Sequence, residues 1–338
     1  MGFSLKADES AGPGIKRVVH EQLDDALTEL RDAGDTELQR DKAVHSARKR
    51  MKRVRAVVRL IRGAIPAETF EFENASFRDA GGALGEARDA AVLVQTLESL
   101  KVEIPDPAYR AARKLLVARR RVVKKRILES TSGLEGVAQA AQDANARIAP
   151  WHIEGEGWDV FKPGLKRVYR DGREAMQAAN IGDLSGHGAE MFHQWRKRVK
   201  DLWHQCEVLE KVWPAAMSVL ADEFHALADH LGNEHDLAVL KTLLQADAEA
   251  RGEPIEGAAE VIAIIDHHRL DLQTAAKNLG ARLFAEKPGQ FAKRLGAYWD
   301  AWWQGAKTVG EPPQEPTTVT EAGGSANGAH DAAPSMSS

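Results

Sequence analysis

The chain is poor in several things, and each shortage excludes something. It has one cysteine, Cys206, among 338 residues, so no internal disulfide can form and no cysteine-based zinc motif is present. That usage suits a reducing compartment. Aromatic residues make up only 6%, and alternating runs of Val, Ile, Thr and Tyr are scarce, which leaves little from which to build sheets. No stretch approaches the ~20 apolar residues of a membrane span. The opening "MGFSLKADES" lacks the basic and apolar regions of a secretory leader. The chain is therefore expected in the cytoplasm, away from membranes. There is no G-x-x-x-x-G-K-[ST] loop, no G-x-G-x-x-G after a strand, no G-x-S-x-G and no H-E-x-x-H. His230 and His235 stand five apart, a poor spacing for two ligands on one helix face. No catalytic residue, metal site or cofactor is assigned.

One shortage is local. The chain as a whole is slightly acidic, with 46 Lys+Arg against 50 Asp+Glu and a net charge of −4. Yet "VHSARKRMKRVRAVVRLIRG", from Val44 to Gly63, carries eight Lys or Arg and no acid. A second acid-free stretch, "RAARKLLVARRRVVKKR", follows at 110–126.

Long segments with 3.6-residue periodicity dominate, so the fold class is all-α. Helices are expected over 14–32, 36–63, 67–100, 106–129, 160–180, 187–212, 215–248, 255–278 and 288–304. Pro66, Pro105, Pro107, Pro163 and Pro214 punctuate them. From 307 the chain is rich in Pro, Gly, Ser and Thr with few large apolar residues, a composition expected to stay disordered.

The chain also repeats itself. "GIKRVVH" (14–20) is similar to "GLKRVYR" (164–170), "VHSARKRMKRVR" (44–55) to "FHQWRKRVKDLW" (192–203), and "ALGEARDAAVL" (83–93) to "HLGNEHDLAVL" (230–240). The offsets are 150, 148 and 147 residues, in one order. A unit that long is no solenoid repeat; it has room for about four helices, so a pair of four-helix bundles is the natural architecture. The expected layout is a flexible N-terminus (1–13), a first half (14–130), a connector (131–159), a second half (160–306) and a tail (307–338).

On a helical wheel Ala47, Met51, Val54, Val58 and Ile61 form a stripe to be buried. His45, Arg48, Lys49, Lys52, Arg55, Arg59 and Arg62 fill an arc on the other side. The second copy keeps this phase, with Trp195, Val199, Leu202, Cys206 and Leu209 apolar and His193, Arg196, Lys197 and Lys200 basic. In the later stretch Arg110, Arg113, Lys114, Arg121 and Lys124 share an arc, with Arg120 at its edge. Like charges at these spacings each weaken a helix by a few tenths of a kcal/mol. An anionic ligand would relieve the repulsion.

The paired H-x-x-R-K-R-x-K helices, "LGEARDAAVL", "LGNEHDLAVL" and "YRDGREAM" resemble the CHAD family, the conserved histidine α-helical domain, over roughly 14–304. The resemblance implies two four-helix bundles related by pseudo-twofold symmetry, with basic residues converging on a central cavity. It also implies binding of inorganic polyphosphate and association with polyphosphate granules. Carried over, the ligand-facing set is His45, Arg48, Lys49 and Lys52 in the first half and His193, Arg196, Lys197 and Lys200 in the second. Arg17, Arg55, Arg59, Arg113, Arg120, Arg170 and Arg173 extend it, and Arg88 and His235 stand at matched positions. The second half departs from the first: Arg53 corresponds to Asp201, and Arg55, Arg59 and Arg62 to Trp203, Glu207 and Glu210.

Polyphosphate offers only charge and oxygen geometry, which Arg forks and Lys ammonium groups suit. The alternatives are a general nucleic-acid-associated basic protein, which would want stacking aromatics beside the basic face, and an enzyme processing polyphosphate, which would want carboxylates for Mg²⁺ inside the site. The wheel places few aromatics and no carboxylates on the basic arcs. A binding protein rather than an enzyme is expected. His45 and His193 have a structural alternative, hydrogen bonding to Asp89 or Asp236, and Gly in "LGEARD" and "LGNEHD" reads as helix packing.

Overall fold

The computed structural model describes residues 2–34, 36–83, 85–129, 134–181 and 186–310, with some side chains inside these ranges left out. Among the described residues there are eleven α-helices, two short 3₁₀ turns and no strand. The helices are α1 (Ala11–Arg31), α2 (Glu37–Leu60), α3 (Ala67–Ala83), α4 (Gly85–Ser99), α5 (Asp106–Glu129), α6 (Leu134–Ile148), α7 (Lys162–Ile181), α8 (Gly186–Val208), α9 (Pro214–Arg251), α10 (Ala258–Leu283) and α11 (Pro288–Gly310).

Local chemistry sets the ends. Thr36 and Gln39 form a reciprocal capping box at the start of α2, a device worth about 1 kcal/mol. Pro214 opens α9, where its missing N–H costs nothing, and Gly252, at φ 76°, ends it in the left-handed conformation that glycine adopts without strain. Of the segment expected as one helix over 67–100, α3 and α4 are described, and Leu84 between them lies outside the described residues.

Both apolar stripes read from the sequence are buried. Ala47, Met51, Val54, Val58 and Ile61 are at most 1% exposed, and Trp195, Val199, Leu202, Cys206 and Leu209 at most 2%. Neighbours recur in one order in the two halves: α1 packs on α2 and α6, and α2 on α3; α7 packs on α8 and α11, and α8 on α9. α2 also packs on α8, which joins the halves. The main core includes side chains of α1, α2, α3, α6, α7, α8 and α11. A smaller core is built by both halves together, from Leu93 and Leu97 of α4, Leu116 of α5, Leu240 and Leu244 of α9 and Ile265 of α10.

The structure differs from the expected layout in the character of three segments. Residues 2–13 are not a loose lead-in, because Leu5 is 1% exposed and its N–H donates to the Val208 carbonyl at 3.0 Å. The connector contains α6, which buries Ala141, Ala144 and Ile148 against α1 and α3. The last helix runs to Gly310, past the expected start of the tail; residues 311–338 lie outside those described. The halves meet closely at a second point. A Cβ on Gly164 in α7 would stand 2.0 Å from the Leu60 carbonyl oxygen of α2, so only glycine permits this backbone contact.

Candidate anion-binding site

α2 and α8 meet where Gln205 Nε2 donates to the Ala56 carbonyl at 3.1 Å. Because each helix turns its apolar stripe into the core, basic residues at the opposite phase of the two helices come near one another. Arg48 and Lys52 come from α2, Arg196 and Lys200 from α8.

The electrostatics show how tightly these four are gathered. Lys200 is pushed down to about 7, first by burial and then by the charges of Arg196 and Lys52. Lys52 is pushed down to about 8 by burial, Arg48 and Arg196. By surface area Lys52 is exposed, yet desolvation dominates its shift; a group at the floor of an open concavity shows both, since solvent reaches it while protein surrounds it. Burial also lowers Arg196, against the opposing pull of Asp236, Asp89 and Asp229. The Arg196 Nε is buried with no hydrogen-bond partner among the described residues. Arg48 approaches Asp89 at 3.6 Å. Gly232 of "LGNEHD" lies against the Arg196 guanidinium, whose Nε would be 3.5 Å from an added Cβ, so this glycine borders the site as well as packing α9.

His193 and His235 stack at 4.3 Å beside this cluster. His235 is held down to about 4 by burial, Arg196 and His193. His193 is lowered by burial, Lys197 and Arg196. Both rings are therefore neutral at pH 7. His193 Nδ1 is buried without a partner among the described residues, and the ring stacks on His235. The two histidines also border an open cleft of about 870 Å³ whose other wall carries Arg119 of α5. Exposed His45 and Lys49 lie on α2 beside Arg48, and exposed Lys197 on α8 beside Arg196.

Other expected members go elsewhere. Arg17 is committed to Glu9 and Glu21 and to the Ser4 carbonyl, and so anchors the N-terminal segment instead of facing a ligand. Arg59 directs Nη1 to both oxygens of Asp201 at 2.7 and 2.6 Å, in a half-buried ion pair. Arg55 keeps a neutral partner, Asn74, at 3.0 Å and is pushed down to about 10 by burial and by Arg59. Arg113 is exposed and 3.4 Å from Glu98. Arg120 shares α5, which packs on α4 and α10. Arg170 is exposed and paired with Asp171 at 2.9 Å. Arg173 is half-buried in α7, where its charge acts on the Tyr169 hydroxyl. The side chain of Arg88 lies outside those described.

The expectation that carboxylates are absent beside the basic faces is overturned. Asp89 comes from α4, and Asp229 and Asp236 from α9, and all three act on the central cations. A wheel of one helix cannot show acids contributed by its neighbours. Arg119 was missed for a similar reason: it lies outside the arc that the like-charged spacing of α5 defines. Among the described residues no helix is long and apolar enough to cross a membrane.

Comparison with known proteins agrees with this architecture. No curated protein matches the chain. Among solved structures, PptA from Streptomyces chartreusis superposes with a TM-score of 0.59 at 15% identity, covering 82% of this chain and 100% of that one. The CHAD domain from the plant Ricinus communis superposes with a TM-score of 0.56 at 18% identity, covering 83% of this chain and 93% of that one. At such identities the likeness concerns the fold. The sequence pattern of the CHAD domain matches residues 17–245, two thirds of the chain, and on that match the protein belongs to the CHAD domain family.

Proposed function

We propose that this protein binds inorganic polyphosphate through the central cluster of Arg48, Lys52, Arg196 and Lys200, flanked by His45, Lys49, His193 and Lys197, and that it does so as a non-catalytic module on cytoplasmic polyphosphate granules. The reading includes the twofold relation of the halves that the family resemblance implies. One observation carries it: two lysines from different helices, Lys200 and Lys52, are pushed down to about 7 and about 8, first by burial and then by neighbouring cations, with Arg196 acting on both. Such crowding costs stability in the free protein, and a linear polyanion is the partner that removes the cost. Membership of a family whose relatives bind polyphosphate supports the same ligand.

Asp89, Asp229 and Asp236 fit this reading as supports. They offset part of the cationic field at Arg196, and Asp89 also stands 3.6 Å from Arg48. Nucleic acid is the weaker reading, because Trp203, the aromatic residue nearest the basic arc, is already stacked on His204 and His225 at 4.5 and 3.8 Å.

The test is titration of long-chain polyphosphate against Lys52→Gln and Lys200→Gln, with duplex DNA as competitor. Each variant should lose about tenfold in affinity through one missing charge-assisted contact, while its Tm without ligand holds or rises. Binding that DNA displaces at equal phosphate concentration, or variants that bind like the parent, would remove this assignment.

A further inference from the structure

The carboxylates that neutralise the basic faces are unevenly distributed around the α2–α8 contact. Toward α1 and the N-terminal segment three arginines each hold an acid. Arg17 holds Glu9 and Glu21. Arg50 holds Glu29 and Asp25, each at 2.7 Å. Arg53 holds Glu207 at 2.9 Å.

Toward α3 and α7 the balance is different. Asp201 is taken by Arg59, and Arg198 reaches the same carboxylate only at 3.4 Å. Arg55 has the neutral amide of Asn74. Arg62 meets an exposed Glu71 at 3.4 Å. Arg167 and Lys197 are exposed. These groups share one field: Arg55 feels Arg59, Arg78 and Arg198 against Asp201; Lys197 feels Arg198, Arg55 and Arg59 against Glu190; Arg62 feels Arg167 and Arg198 against Glu71 and Asp171, so acids act here too but fewer are bound in close pairs.

The repeat shows why. At an offset of 150, Arg17 corresponds to Arg167, but Asp25 and Glu29 correspond to Ala175 and Ala179. Arg50 corresponds to Arg198 at an offset of 148. The two halves thus keep equivalent arginines, while α7 has alanine where α1 has the acids that neutralise Arg50. Lys197 is also the neighbour of His193 and His235, so this side is continuous with the central cluster.

We propose that a polyanion held at the central cluster continues over this side alone, along Lys197, Arg198, Arg55, Arg62 and Arg167, which form an extension subsite for further phosphate units. The inference rests on the reading of the centre as a polyphosphate site. Arg55 lies on α2 and Arg62 in the turn just past its end; the helix from Arg55 to Leu60 alone rises about 7 Å, so the subsite takes more than one phosphate. A short oligophosphate fills the centre and does not need it. A long chain uses both, and leaves in one direction.

The experiment compares tripolyphosphate with long-chain polyphosphate on Arg167→Gln and on the double variant Arg167→Gln/Arg198→Gln, with Lys287→Gln/Lys293→Gln as a charge-matched control on exposed positions elsewhere. The double variant should bind long chains about tenfold or more weakly and tripolyphosphate unchanged, and the control should match the parent for both ligands. Arg167 is exposed, so its single variant keeps the test valid if the double variant folds poorly; it should show a smaller loss confined to long chains. Equal loss for both ligands, or no loss for long chains while Lys52→Gln and Lys200→Gln still weaken both, would overturn the extension subsite and leave the central site standing. Failure of the parent protein to bind either ligand would overturn both.

Discussion

Arg59 of α2 and Asp201 of α8 are joined across the helix contact by two hydrogen bonds of 2.7 and 2.6 Å. A second bridge, Arg53 to Glu207 at 2.9 Å, joins the same helices. At an offset of 148, Arg53 corresponds to Asp201 and Arg59 to Glu207. The two bridges therefore connect equivalent positions with their signs reversed. α2 supplies both cations and α8 both acids, which accounts for the weaker basic character of the second half outside its core motif. Asp201 is only 8% exposed, so Asp201→Ala would strand a half-buried guanidinium. We expect a loss of about 3 kcal/mol in urea unfolding, largely recovered in the double variant Arg59→Leu/Asp201→Leu.

Arg50 is the informative contrast. By position on the wheel it flanks the apolar stripe, away from the basic arc, and it is bound to Asp25 and Glu29 of α1. Arg50→Glu should therefore destabilise the fold, by about 2 kcal/mol or more through two deserted carboxylates, and leave the polyphosphate affinity of the folded fraction nearly unchanged. Lys49→Glu and Lys197→Glu, both exposed, should do the reverse. Thermal melts and titrations on the same samples separate the two behaviours.

Ligand binding should take up protons. In the free protein Lys200 titrates at about 7 and Lys52 at about 8, well below an ordinary lysine. A bound polyanion favours the charged form and raises both. Around pH 8 the complex should take up roughly one proton, and affinity should fall as pH rises from 6 to 9. Calorimetry in two buffers of different ionisation enthalpy counts the protons. The unliganded fold has the opposite trend: its unfolded state holds more protons above pH 7, so its stability should rise from there toward the ordinary lysine pKa. Identical heats in both buffers would show that the two lysines do not face the ligand.

Salt reports the number of contacts. With about six phosphate contacts at the centre and its flanks, and a slope near 0.7 per contact, raising salt from roughly 50 to 200 mM should weaken binding a few hundredfold. A flat response would mean that these basic faces are not the site.

The two central helices were legible because a stripe such as Met51, Val54 and Val58 has one energetic reading, burial, and burial fixes where Arg48 and Lys52 must point. The repeat made the second face legible in the same way. α6 was not, since two of its buried residues, Ala141 and Ala144, are too small to stand out and Ile148 alone makes no stripe. Arg17 and Arg59 looked equivalent to Arg48 because a helical wheel carries no information about acids delivered by other segments. Glu21, one turn from Arg17, was the visible hint for one of them. Asp201, 142 positions from Arg59, could be paired with it only in three dimensions.

The contact between Gly164 and the Leu60 carbonyl acts as a fulcrum. An added methyl group there would have to displace α7 from the end of α2 by more than an ångström, since contacts under 3.0 Å do not persist. α7 carries α8 with it, and α8 carries Arg196 and Lys200. The spacing between the basic faces of α2 and α8 is thus gauged at the far end of α2, by a residue outside the cluster that has no side chain of its own.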